Sequence, residues 1–165
     1  MPTVADTAFV IARVRAEEGA RPAADQLDRK RSLLAAAEVA PPAEIAQVPC
    51  DFTGDFESVL IASLEDRGFR AGAGALFVWE GVVAYLDDTA VDRTLAFVAR
   101  AGGPGSRLVL DTAESRFDPE PLSGHARRAG FQSLEETPFD VLWRRHLGTE
   151  PHPYASVMRM AVARV

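Results

Sequence analysis

The stretch Ala75-Leu76-Phe77-Val78-Trp79-Glu80-Gly81-Val82-Val83-Ala84-Tyr85-Leu86 decides how this chain is read. Its first part, Ala75 to Trp79, is a continuous apolar run of strand length. Such runs belong to strands buried on both faces, as in a parallel sheet covered by helices. Gly72 and Gly74 make a turn before it. Asp87 or Asp88 caps a helix after it, whose apolar side holds Val91, Leu95 and Val98. Gly102-Gly103-Pro104-Gly105 ends that helix, and Arg107 to Thr112 follows as a second apolar strand. Strand, helix and strand in this order make the basic unit of an α/β fold.

The same alternation extends outward. Upstream, Ile45 to Phe52 reads as a short strand. Asp55 to Gly68 reads as an amphipathic helix with Phe56, Val59, Leu60 and Leu64 at helical spacing. Ala24 to Glu38 reads as a helix that ends before Pro41-Pro42. A first helix starts at an Asp6 or Thr7 cap, runs through Ala8 to Ala12 and on past Arg13, Arg15, Glu17 and Glu18, and stops at Gly19-Ala20-Arg21-Pro22, although its β-branched content also suits a strand. Downstream, Phe117 to Gly130 is a helix with Pro119 and Pro121 near its start. Phe139 to His146 and Ser156 to Val165 read as two strands, paired like a hairpin across Gly148 to Pro153. The expectation is one α/β domain over residues 1–165, with N-terminal helices in 1–40 and an α/β half in 41–165. Five strands form a mostly parallel sheet with helices on both faces and a late antiparallel strand pair.

Composition narrows the function. The chain has 165 residues, 47% of them hydrophobic and 25% charged, enough for one domain with a real core. Its net charge of -6 and its lack of a basic cluster argue against nucleic acid or an anionic membrane as partner. The densest basic run, Arg29-Lys30-Arg31, reads as a solvated helix face. Cys50 is the only cysteine, so no internal disulfide and no thiolate zinc cluster can form. No N-terminal leader pattern is seen, and the longest apolar stretch falls short of the ~20 residues that span a bilayer. A soluble, cytoplasmic protein is expected.

In an open parallel sheet, ligands bind outside the carboxyl ends of the strands. Those ends carry Asp51-Phe52, Glu80-Gly81 and Asp111-Thr112. The run Val48-Pro49-Cys50-Asp51-Phe52, then Glu80-Gly81 with Tyr85-Leu86, then Gly105-Ser106 resembles the leucine carboxyl methyltransferase-like family of S-adenosylmethionine-dependent O-methyltransferases. The block from Glu80-Gly81 to Tyr85-Leu86 carries most of the specificity. Thr7-Ala8-Phe9 with Arg15-Ala16-Glu17-Glu18 is similar to the family's N-terminal helix, Leu27 to Leu34 to a helix after its second strand, and Pro119 to Leu122 with Gly130-Phe131 to its late helix.

The resemblance implies an incomplete Rossmann-like methyltransferase fold. Between Arg21-Pro22 and Leu27-Asp28-Arg29-Lys30 the family places a strand, a glycine-rich cofactor loop, a helix and a strand with an acidic end. Roughly sixty to eighty residues, about half an ordinary domain, are not found there. Gly72-Ala73-Gly74 does not replace the loop, because it follows a helix and precedes a strand.

The resemblance also implies roles. Asp51 and Phe52 would meet the adenine of S-adenosylmethionine, although Asp51 also suits a turn or the cap of the next helix. Glu80 and Gly81 would face the methionine end, although Glu80 also suits a solvated helix start. Arg15 would bind the cofactor carboxylate, or else pair with Glu18 on the surface. Tyr85 would lie near the methyl acceptor as the catalytic-site residue, or else pack with its hydroxyl in water. The acceptor would be a carboxylate or hydroxyl of a small molecule or peptide. His125, His146 and His152 lack metal spacing, and His125 alone could serve as a base. No metal is expected. The alternative is a non-catalytic remnant, a homodimer paired through exposed sheet edges.

Overall fold

A computed structural model describes residues 9–12, 23–38, 48–52, 54–113, 116–117 and 120–165. The chain runs β1 (Phe9–Ala12), α1 (Ala23–Ala36), α2 (Glu57–Glu65), β2 (Leu76–Trp79), α3 (Asp88–Gly102), β3 (Arg107–Ala113), α4 (Leu122–Ala129), β4 (Ser133–Pro138), α5 (Phe139–Leu147) and β5 (Met158–Arg164). Short 3-10 turns lie at Val83–Tyr85 and Pro153–Ser156. The chain divides into two compact units, one of residues 1–14 and 71–165, the other of residues 15–70.

The first unit holds the sheet. Its five strands lie in the order β1-β2-β3-β5-β4. β1, β2 and β3 are parallel, with Leu76 to Trp79 in register with Arg107 to Leu110. β5 enters between β3 and β4 and runs antiparallel to both. The expected α/β architecture with a late antiparallel pair is present, and the parallel part is three strands wide. Apolar alternation explains the layering. Phe77, Trp79, Leu108 and Leu110 are buried, while Leu76, Val78 and Val109 are half-buried on the other face. α3 adds Val91, Leu95 and Val98, all buried as their spacing predicts. Truncating a side chain such as Leu95 costs about 2–5 kcal/mol in comparable cores.

Several expected elements are corrected. Of the two readings of the first element, Phe9–Ala12 takes the strand, as its β-branched Val10-Ile11 pair allows, and the rest of the expected helix lies outside the described residues. The expected strand from Ile45 to Phe52 is absent over its described part, residues 48–52, where the chain is irregular. Phe139–Leu147 is helix α5, and the strand paired with β5 is the polar segment Ser133–Pro138 just before it. The period explains the error: Phe139, Leu142 and Trp143 fall at helical spacing and are half-buried. Val59 of α2 is 59% exposed rather than inward-facing.

The second unit is α1, α2 and the chain around them. α1 is exposed along its described side chains except for half-buried Leu34, and Arg29, Lys30 and Arg31 all face solvent. Phe52, Phe56, Leu60 and Phe69 are buried, with the Phe52 and Phe56 ring centroids 5.2 Å apart.

The end of α3 packs closely against the turn that precedes β2. Gly72 and Gly74 donate their N–H groups to the carbonyls of Ala101 and Gly102, at 2.8 and 3.0 Å. The Gly72–Gly74 segment thus serves to close the end of α3. Ser106 is fully buried, and its hydroxyl accepts the Ala75 N–H at 3.0 Å just before β2. A Cβ on Gly102 would stand 2.5 Å from that hydroxyl and 2.8 Å from the Phe77 ring. Gly102→Ala should therefore destabilise the fold by about 1–3 kcal/mol, the usual cost of overpacking, read by urea denaturation. A change within experimental error would show that this corner yields freely.

Candidate functional site

The carboxyl ends of β2 and β3 lie side by side. Their last paired residues are Trp79 and Leu110. Beyond them the chain turns at Gly81, which takes a φ of +70°. Its N–H donates to Asp111 Oδ1 at 2.7 Å. The Asp111 side chain thus carries the link between the strands one step past the backbone ladder. A hydrogen bond to a charged group is worth about 1.5–3 kcal/mol, less where water competes. Glu80 is exposed, so its carboxylate is solvated and carries no burial cost. Space above Gly81 is open: a Cβ there would meet nothing within 4 Å.

The next residues form a pinned turn. Val82 and Val83 are buried and anchor it. Tyr85 N–H reaches Val82 O at 3.0 Å, and Leu86 N–H reaches Val83 O at 3.3 Å. Tyr85 itself is 61% exposed, so its ring is not a core element. Asp87 caps α3 as expected, its carboxylate accepting the Ala90 N–H at 2.7 Å.

From past the end of β3, Arg116 reaches back over this turn. It donates to Val83 O at 3.3 Å, to Leu86 O at 2.5 Å and to Asp88 Oδ1 at 2.8 Å. Its guanidinium also lies 4.9 Å from the centre of the Phe117 ring. The ring of Phe117 in turn sits 5.3 Å from that of His125.

His125 joins α4 to α3. It is buried, and its Nδ1 lies 2.7 Å from Asp92 Oδ1. Arg128 Nη2 lies 3.0 Å from the same nitrogen, so Nδ1 sits between a carboxylate that only accepts and a guanidinium that only donates. Arg128 bonds both Asp92 oxygens at 3.3 and 3.2 Å and pairs with Glu120. Burial works to raise the Asp92 pKa, but hydrogen bonds and charge from His125 and Arg128 outweigh it and hold the carboxyl below its ordinary value. Hydrogen bonds from Arg128 to Glu120 and then Asp92 raise the guanidinium pKa further above its ordinary value.

The remaining expected residues fall elsewhere. Asp51 and Phe52 belong to the second unit. Asp51 is exposed, with its carbonyl accepting the Gly54 N–H at 3.3 Å, so it sits in a turn. It does not cap α2, whose N-cap position is Phe56 with no side-chain cap. Phe52 is buried. Next to them, burial, followed by the charges of Asp51 and Glu57, pushes the Cys50 thiol up to about 12 and keeps it a thiol at neutral pH. Arg15 lies outside the described residues.

Glu80, Gly81 and Tyr85 are thus brought onto one connected stretch of the first unit, and Asp111 and Arg116 join them. Arg116 carried no sequence signal, because its partners lie 28 to 33 residues away. Among the described residues no group of three His, Cys, Asp or Glu is placed to hold a metal, and no helix is long and apolar enough to cross a membrane.

Known proteins match this chain in part. Residues 23–99 match the leucine carboxyl methyltransferase family. A protein of Parafrankia assigned as an S-adenosyl-L-methionine-dependent methyltransferase is 36% identical over 90 residues, covering 54% of this chain and 28% of that protein. One of Mycolicibacterium paratuberculosis with the same assignment is 32% identical over 126 residues, covering 71% of this chain and 39% of that protein. The chain therefore spans well under half the length of these relatives. A crystal structure of a Thermobifida fusca protein assigned as a methyltransferase superposes with a TM-score of 0.55 at 20% identity, covering 84% of this chain and 58% of that one. The likeness in fold and family that the Glu80 to Leu86 block implied is borne out.

The Asp92 cluster makes a pH-dependent contribution of defined sign. Asp92 is held below its unfolded value, so its stabilisation is complete above about pH 4 and is lost as pH falls through the lowered folded value. Asp92→Asn should be less stable than the parent at neutral pH, with the gap closing below pH ~4 in urea titrations. A gap that stays constant into strong acid would show that the carboxylate charge contributes nothing.

Proposed function

We propose that this relative of the leucine carboxyl methyltransferase family takes part in S-adenosylmethionine-dependent methyl transfer to an oxygen of a small molecule or peptide, at the carboxyl ends of β2 and β3. The supporting observation is the exposed Glu80 carboxylate beside an open, positive-φ Gly81 whose backbone is fixed by Asp111.

Two features of the described residues suit such a cofactor, although the glycine-rich loop that the family places between Arg21-Pro22 and Leu27 is not found in this chain. A solvated carboxylate at Glu80 is free to pair with an ammonium or sulfonium. The absence of a Cβ at Gly81 leaves room for a ligand against the backbone. Asp51 and Phe52 would serve the adenine, and Arg15 the cofactor carboxylate, as the family resemblance implies. S-adenosylmethionine, when bound, supplies a methyl group on a sulfonium.

The chain's own part is alignment. In-line displacement needs the acceptor oxygen held on the axis of the breaking bond, and such positioning lowers barriers by several kcal/mol (~7–11 in favourable cases). A carboxylate acceptor is already anionic and needs no base, which suits a strand-end site with no exposed histidine in it. A hydroxyl acceptor would need one, and His125 is buried and held to Asp92. A carboxylate is therefore the favoured acceptor. Tyr85, exposed at the tip of its turn, would donate a hydrogen bond to it.

A second reading rests on the sheet edges. β4 is guarded by exposed Glu135 and Glu136 and by Pro138, which discourage pairing. β1, Phe-Val-Ile-Ala, carries no such guard in its sequence. A homodimer that acts as a binding module would form through the β1 edge, and Val10→Lys would return it to a monomer in sedimentation velocity. A wild-type chain that sediments as a monomer at all concentrations would contradict this reading.

The methyltransferase reading is tested by titrating S-adenosylhomocysteine into the purified chain calorimetrically. The expected result is micromolar binding, weakened at least about tenfold (~1.4 kcal/mol) by Glu80→Ala. No heat at millimolar ligand would sink it.

A further inference from the structure

We infer that Arg116 is a positioning residue for the methyl acceptor: it fixes the Val83–Tyr85 turn so that the exposed Tyr85 phenol is held in one place. The inference rests on the methyltransferase reading above and adds to it a residue which that reading does not use.

Tyr85 is 61% exposed, so packing of its own ring cannot set its position. What is fixed is the backbone from which the ring projects. Arg116 grips that backbone on both sides of Tyr85, at Val83 O and Leu86 O, and is fixed to the start of α3 through Asp88 Oδ1. Only 16% of the Arg116 side chain is exposed. Withdrawing a guanidinium from water for two loop carbonyls adds little to fold stability alone, since those carbonyls could have been hydrated. What the arrangement secures is order: a turn with two of its carbonyls tied to one side chain. The planar fork of arginine reaches both carbonyls and the carboxylate together, which an ammonium on a single point cannot do.

Arg116 is itself held from behind. Its guanidinium lies over the Phe117 ring, Phe117 lies against His125, and His125 is tied to Asp92 of α3. A continuous run of contacts therefore leads from the α3–α4 pair to the turn that carries Tyr85. Displacing an acceptor by ~1 Å can cost ~100-fold in rate, so rigidity here has a direct use.

The chain has two tyrosines, Tyr85 and Tyr154. In a Tyr154→Phe background grown with 3-fluorotyrosine, Tyr85 gives the single fluorine resonance. In the parent this resonance should differ from free fluorotyrosine and should move when S-adenosylhomocysteine is added. In Arg116→Ala it should collapse towards the free value, while S-adenosylhomocysteine affinity stays within about threefold. Arg116→Lys keeps the charge beside Asp88 without the double carbonyl grip and should lie between the two. If Arg116→Ala does not fold, the lysine variant decides by the same criterion. A Tyr85 resonance identical in parent and variant overturns the inference. Complete loss of S-adenosylhomocysteine binding in a folded variant also overturns it, because Arg116 would then serve the cofactor. A parent chain that takes up no S-adenosylhomocysteine overturns the methyltransferase reading itself, and the acceptor assignment with it, whatever Arg116 does to Tyr85.

Discussion

The hydrogen bond from Gly81 N–H to Asp111 Oδ1 is the constraint on which the site depends. Parallel strands end with backbone groups that have no partner in the ladder. β2 and β3 solve this with a side chain, which carries their pairing past Trp79 and Leu110. The bond fixes where the chain leaves the sheet. Gly81 can leave at φ +70° because it has no Cβ. Glu80 is thereby left in solvent, and the Val83–Tyr85 turn begins from a defined point.

Three further devices hold that turn in place. Buried Val82 and Val83 press it down by their apolar surface. Asp87 ends it by capping α3. Arg116 ties its carbonyls from the β3 side. The apolar term is the larger in stability, since two buried valines contribute about 1.5–3 kcal/mol each while net hydrogen bonds contribute about 1. The polar ties contribute direction instead. They decide where the exposed groups point, and exposed groups are what a ligand meets.

The sequence showed the parts whose pattern is local. The apolar run Ala75 to Trp79, the Asp87 cap, the apolar stripe of α3 and the Gly102–Gly105 stop all stand where local pattern puts them. It misled where composition and structure part. β4, Ser-Leu-Glu-Glu-Thr-Pro, is a polar edge strand with no strand-like alternation, and it exists because β5 offers it a ladder. The apolar Phe139–Leu147 drew the strand assignment away from it and is a helix. At the candidate site, the placement of Glu80, Gly81 and Tyr85 on one stretch past the end of β2 was legible from a short motif. Arg116 and the Asp92–His125 pair were not, because each depends on contacts across some thirty residues that only the folded chain creates. Asp111, which the sequence places at a strand end, accepts a hydrogen bond from the neighbouring strand's exit.

The central claim is that ligand chemistry belongs to the carboxyl ends of β2 and β3. Amide chemical-shift mapping of the 15N-labelled chain with S-adenosylhomocysteine tests it most directly. The account predicts shifts concentrated at residues 80–86 and 111–117, with little change at the opposite end of the sheet, residues 72–75 and 103–106. Shifts centred on that opposite end, or none at saturating ligand, would contradict it.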